Sequence, residues 1–118
     1  MSVEGKLTAA AADVLAERAR QVEVEGWSPV HDDTHTNGEL ARAAAAYAIH
    51  WTMNGMRTTF GDTIWPMSWG FEWFKPGALK TGEVQIARRR NLVKAGALIL
   101  AEIERLDRAA LAPTEKSP

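Results

Sequence analysis

Between Gly55 and Gly82 the chain interleaves seven glycines and prolines (Gly55, Gly61, Pro66, Gly70, Pro76, Gly77, Gly82) with six aromatic rings (Phe60, Trp65, Trp69, Phe71, Trp73, Phe74). No other feature limits the fold so strongly. The glycines and prolines bar a long regular helix, and a segment this rich in rings is the opposite of a solvated linker. The rings must pack on something else, and long irregular segments in compact domains are commonly functional. Trp65, Trp69 and Trp73 fall four apart, yet Pro66 and Gly70 argue against one helix running through them.

What the rings pack on is helical. Leu7, Ala11, Val14, Leu15, Arg18 and Val22 recur at three- and four-residue spacing and predict a helix over 7–24. Gly26 ends it, and Pro29 prevents its return. A second helix should start at Asn37 or Gly38 and end at Asn54-Gly55. Its apolar stripe is Leu40, Ala43, Ala44, Tyr47, Ala48 and Trp51, with Asn37 as N-cap and Glu39 at the positive end of the helix dipole. A third should run from about Glu83 to Ala110. Its main seam is Leu92, Ala95, Gly96, Ile99, Ile103 and Leu106, with a second apolar row at Val93, Ala97 and Leu100. Apolar rows on two sides place this helix centrally or against a second subunit, and Gly96 would admit a neighbouring helix closely. The fold class is therefore mostly α: a three-helix domain with an irregular Trp-rich insertion before the last helix. One domain spans 1–118, with an ordered core over 7–110 and a tail over 111–118.

Composition narrows the function. The net charge of -1 speaks against a duplex nucleic-acid partner, which would ask for a basic surplus. With no cysteine, disulfides and thiolate metal sites are excluded. No signal peptide and no apolar run long enough for a membrane span stands out, so a cytoplasmic location is the default expectation. The five tryptophans (Trp27, Trp51, Trp65, Trp69, Trp73) suit stacking sites and interfaces as well as a core.

The residues that carry chemistry cluster in three groups. The first is the polar stretch His31-Asp32-Asp33-Thr34-His35 between the first two helices. It holds possible donors for a divalent metal in His31, Asp32 and His35, but the helical His-Glu-x-x-His pattern of zinc hydrolases is absent. His31-Asp32 also opens the signature of the HD phosphohydrolases, whose further ligands find only His50 and Asp62 here. The same residues equally suit a capped, solvated turn. The second group is cationic: Arg18 and Arg20 at the end of the first helix, Arg88, Arg89 and Arg90 early in the last, and Lys94 within an apolar run. Guanidinium groups bind phosphate in a bidentate manner, although such charges often only form a solvated face. The third group is the aromatic segment, on whose rings a planar base could stack, with Asp32 and Asp33 accepting hydrogen bonds from its donors.

Glu17-Arg18-x-Arg20-Gln21, Glu25-Gly26-Trp27, His31-Asp32-Asp33, Gly38-Glu39-Leu40-Ala41, Tyr47, Trp65-Pro66, Lys75-Pro76 and the run from Arg89 through Ile99 to Asp107-Arg108 resemble a family of small bacteriophage and prophage proteins, over most of residues 14 to 108. The order of helix, Gly-Trp, Asp-Asp loop, Tyr and final helix is also similar to the ryanodine-receptor repeat domain, whose bacterial and viral versions imply a nucleotide signal as ligand. The Glu-Arg-x-Arg-Gln opening looks like small phage relatives of the MazG-type all-α pyrophosphohydrolases. Their Glu-x-x-Asp pair has a counterpart in Glu104 and Asp107, but their Glu-x-x-Glu pair has none, since Arg42 follows Glu39 by three.

These observations lead to an expectation of non-enzymatic binding of a small nucleotide-type ligand by a homo-oligomer, with no cofactor. In a phage setting this would be a sponge that sequesters a cyclic-nucleotide or ADP-ribose-type immune signal. The expected contacts are Arg18, Trp27, His31, Asp32, Asp33, Tyr47, Trp69, Trp73, Arg89, Arg90 and Lys94, with rings and cationic groups converging on one hollow. Two alternatives stand beside it. One is a metal-dependent nucleotide hydrolase using His31, Asp32, His35 and Glu39; the other is an inhibitor that binds a host protein through the Trp-rich segment.

Overall fold

The computed structural model describes residues 6–50, 64–76 and 84–111. The second helix does not reach its expected end at Asn54-Gly55: it stops at Ile49, where His50 turns extended at ψ 127° and breaks the helical hydrogen-bond pattern. Trp51, Phe60 and Asp62 lie outside the described residues, as do 77–83 and the tail 112–118. The described residues are mostly α and include no strand. Helix α1 spans Ala9–Glu23, a single helical turn α2 spans Pro29–Asp32, α3 spans Glu39–Ile49 and α4 spans Val84–Leu111. A 3₁₀ turn at Phe71–Trp73 lies within the aromatic segment, ahead of α4.

Each boundary has a local cause. Thr8 caps α1, its hydroxyl accepting the Ala11 N–H at 3.1 Å. At the other end Gly26 adopts φ +80°, a left-handed conformation that glycine takes without a Cβ penalty. The turn brings the Trp27 N–H back onto the Gln21 carbonyl at 2.9 Å. The first helix does not resume beyond Gly26, as expected, but Pro29 starts a separate helical turn. It opens α2 at N1, where its missing N–H is one no helix would use, and Ser28 caps the turn through the His31 N–H. Asn37 is not the N-cap of α3 either. Gly38 takes that place at φ +82°, and the Glu39 carboxylate reaches back to accept the Asn37 N–H at 2.8 Å.

The core forms where α3 lies along α4, with α1 packed on α4 beside it. Leu40, Ala43, Ala44 and Tyr47 of α3 meet Ala95, Leu98 and Ala101 of α4. The facing surfaces are mostly alanine, which lets the helix axes approach closely. On the flank facing α1, a Cβ at Gly96 would stand 3.1 Å from the Val14 side chain. Trp65 and Phe74 close the core, their rings 4.8 Å apart and each against Tyr47. The Tyr47 hydroxyl accepts the Lys75 N–H at 2.8 Å and so fastens the aromatic segment to α3.

The buried face of α4 differs from the main seam expected. Ala95 is buried, but Leu92, Ile99, Ile103 and Leu106 are each about half exposed. Val93 and Ala97 of the second row are buried as expected, together with Ala87, Asn91, Leu98 and Ala101, which belong to neither row. A row of small residues allows closer packing than a row of leucines and isoleucines, and periodicity alone does not say which of two apolar rows a neighbour will choose.

Candidate functional site

Beneath the site lies a layer of buried charge. Arg18 of α1 is 8% exposed and holds three elements together. Its guanidinium donates to Asp32 Oδ2 at 2.9 Å, to Glu104 Oε1 of α4 at 3.2 Å and to the Trp27 carbonyl at 3.4 Å. Glu17, one residue earlier, accepts from Arg20, from Gln21 and, at 2.8 Å, from Arg90 of α4. Burial pushes the Glu17 carboxyl up, but the bonds from Arg20 and Arg90 outweigh it and hold the group below the usual carboxylate value. Arg20 also reaches Glu25 at 2.8 Å. The Glu-Arg-x-Arg-Gln motif is therefore a girder that sets the Glu25-Gly26-Trp27 turn and α2 in position.

Above this layer opens a cavity of about 440 Å³, within the size range of small-molecule pockets. Trp27, Trp69 and Trp73 supply indole walls, His31 and His35 supply imidazoles, and Leu40 supplies an aliphatic patch. Ser68, Gly70 and Gly26 edge it, and Glu25 and Asp32 are its acids. The rings form a continuous tilted array. Trp69 lies 4.9 Å from His35 and 6.4 Å from Trp27, with Trp65 edge-on behind it at 5.4 Å. His31 stands perpendicular to His35 at 4.9 Å. Burial, reinforced by the charge of His31, pulls the His35 imidazole below its ordinary value, which favours the neutral ring.

Asp32 is fully buried, yet only one of its two oxygens is engaged. Oδ2 takes the Arg18 bond, and Oδ1 has no hydrogen-bond partner. Burial pushes this carboxyl up despite the opposing guanidinium. A buried carboxylate oxygen with no donor costs free energy unless a ligand or water supplies one.

Of the residues the sequence singled out, the structure brings Trp27, His31, Asp32, Trp69 and Trp73 to the cavity, together with His35. It does not bring the cationic groups there, and the expected convergence of rings and guanidinium groups is corrected on that point. Arg18 supports the floor through Asp32 without lining the cavity. Arg89 pairs with Asp13 at 2.9 Å and Arg90 with Glu17. Lys94 donates to the Lys75 carbonyl and lies 5.4 Å over the Tyr47 ring. Asp33 pairs with Arg108 at 2.8 Å, away from the cavity. The reason is charge balance for the arginines, each of which faces a buried or neighbouring carboxylate before it can face a ligand, whereas Lys94 is held by a carbonyl and a ring. Lys94 and Tyr47 instead border a second hollow of about 20 Å³ with Glu17, Arg20 and Gln21, room for about one water. Glu25, Ser68 and Leu40 are cavity residues that sequence reasoning did not select. The signal for Glu25 was its place beside Gly26 and Trp27, where a left-handed glycine turns an acid and an indole around one corner.

Among the described residues, no group of three or more His, Asp or Glu side chains is placed to hold a metal ion. Asp32 is engaged by Arg18, and Glu39 by the Asn37 N–H. Glu104, half of the Glu-x-x-Asp pair, is drawn to Arg18. Compared with known proteins, the chain matches no family model, no curated protein and no solved structure.

Proposed function

We propose that this chain is a non-catalytic binder of a small planar ligand of nucleobase or nucleotide type, held by its ring and not by its phosphate. The observation that carries the reading is Asp32: a fully buried carboxylate with an unpartnered oxygen, in the wall of a cavity built from three indoles and two imidazoles. A base stacked on Trp27 or Trp69 gains about 1–3 kcal/mol per contact. An amino or ring N–H donor on that base would meet Asp32 Oδ1, which among the described residues is the buried acceptor in the cavity wall left without a partner. Among the described residues no lysine or arginine lines the cavity, so a phosphate would extend away from its walls. In a phage setting, as the sequence resemblance suggests, such a binder acts as a sponge that withholds a nucleotide signal from its host effector.

Quenching of indole fluorescence by adenosine, guanosine and cytidine, by their 5′-monophosphates, and by cyclic dinucleotides and ADP-ribose tests the proposal. At least one nucleoside should bind as tightly as its monophosphate, and Trp69→Ala should abolish binding. Silence across the panel at millimolar ligand, or affinity that vanishes when the phosphate is removed, refutes it. Mass spectrometry of whatever leaves the boiled protein would identify the natural ligand.

A second reading draws on the rim. Met67, Phe71 and Trp73 are exposed beside the cavity mouth, an apolar edge suited to a protein partner. In that case a host protein would be retained on immobilised chain and Phe71→Ser would release it, while the ligand panel stays silent.

A further inference from the structure

The exposed face of α4 is aliphatic over four turns. Leu92, Ile99, Ile103 and Leu106 are 54%, 48%, 49% and 51% exposed, and none of them borders the cavity. Their spacings of seven, four and three residues are those of a coiled-coil seam, in which such side chains insert between those of a facing helix. We propose that the facing helix is α4 of a second copy of this chain, running antiparallel about a twofold axis through Ile99.

Two observations specify that occupant. First, three of the four seam residues are arranged symmetrically, Ile103 being the exception. Leu92 and Leu106 lie seven residues to either side of Ile99, so a twofold axis there sets Leu92 on the partner's Leu106 and Ile99 on its own symmetry mate. An isologous interface needs this self-complementarity, and an unrelated partner would not. Second, the charges on one flank match in the same register. Arg89 and Asp107 are eighteen residues apart, five full helical turns, and therefore lie on one side of the seam. They are centred on residue 98, one position from the axis. Antiparallel pairing lays each Arg89 beside the partner's Asp107 and opposes the two helix dipoles. Asp107 is exposed and makes no ion pair among the described residues, while Arg89 has only its exposed pair with Asp13. Parallel pairing would instead set Arg88, Arg89 and Arg90 against the same three residues of the partner, which like-charge repulsion opposes.

The chain has no cysteine, so single introduced cysteines report the geometry directly. Sedimentation of the full chain at high micromolar concentration should return twice the 13.0 kDa chain mass. Ile99→Glu should halve it with the far-ultraviolet circular dichroism unchanged, since the side chain is half exposed. Under mild oxidation Ile99→Cys should cross-link to itself. Leu92→Cys and Leu106→Cys should each stay single alone and cross-link when mixed. Arg89→Glu should weaken the dimer, and the charge exchange Arg89→Glu with Asp107→Arg should restore it. A wild-type monomer at these concentrations, an Ile99→Glu dimer, or Leu92→Cys linking to itself would each overturn the proposal.

Discussion

Arg18 is the residue on which most of this architecture turns. It is buried and contacts a carboxylate on α2, a carboxylate on α4 and the carbonyl of the Gly26–Trp27 corner. Replacing a buried ion pair with apolar groups can be neutral, but removing one partner leaves a buried charge without compensation. Arg18→Ala should therefore lower the unfolding free energy by about 3–5 kcal/mol, measured by urea denaturation, and Arg18→Lys should not restore it because one ammonium cannot span three acceptors. Glu17 and Asp32 give the same layer a pH dependence of mixed sign. The folded Glu17 carboxyl sits below its unfolded value of 4.5. Its stabilisation is complete above pH 4.5 and disappears as pH falls through the folded value. Asp32 is shifted the other way, above 3.8. Its ionised form is disfavoured in the fold, so protonation in acid recovers stability. Thermal unfolding followed from pH 7 to about pH 3 should show an acid limb that Glu17→Gln flattens and Asp32→Asn steepens.

At the scale of elements, the contact between α1 and α4 rests on a missing side chain. Glycine within a helix costs about 1 kcal/mol relative to alanine, so Gly96→Ala would stabilise an isolated α4. Here the added Cβ meets Val14 at 3.1 Å, closer than side chains normally pack. Gly96→Ala should destabilise the protein in thermal denaturation, and adding Val14→Ala should recover part of the loss. A double-mutant cycle between the two positions isolates the coupling. The aromatic segment is attached differently. Its rings anchor through Trp65 and Phe74 on Tyr47, while Trp69 and Trp73 remain available at the cavity. One irregular segment thus completes the core and forms a wall of the site.

Over the whole molecule, binding and folding are linked. The cavity is walled by residues from the α1–α2 turn, α2, α3 and the aromatic segment, so a ligand bridges elements that would separate on unfolding. Ligand at 100 times its dissociation constant should add about 2.7 kcal/mol of stability, visible as a rise in melting temperature. The same calculation applied to Trp69→Ala should give no rise.

The sequence by itself determined where α1 and α4 run and where α3 begins, because helical periodicity and turn residues act within a few positions of one another. The expectation that rings of the aromatic segment pack on the helices is met by Trp65 and Phe74, too apolar to remain in water, while Phe71 and Trp73 stay exposed. The tertiary structure alone decided which cations meet which acids. Arg18 finds Glu104 across 86 residues, and Arg90 finds Glu17 across 73. Those pairings took Arg18 and Arg90 out of the cavity and left Asp32 within it with one oxygen free of any donor. The buried row of α4 was decided in the same way, because two apolar rows are equivalent to a lone helix and differ only once a neighbour's shape selects between them.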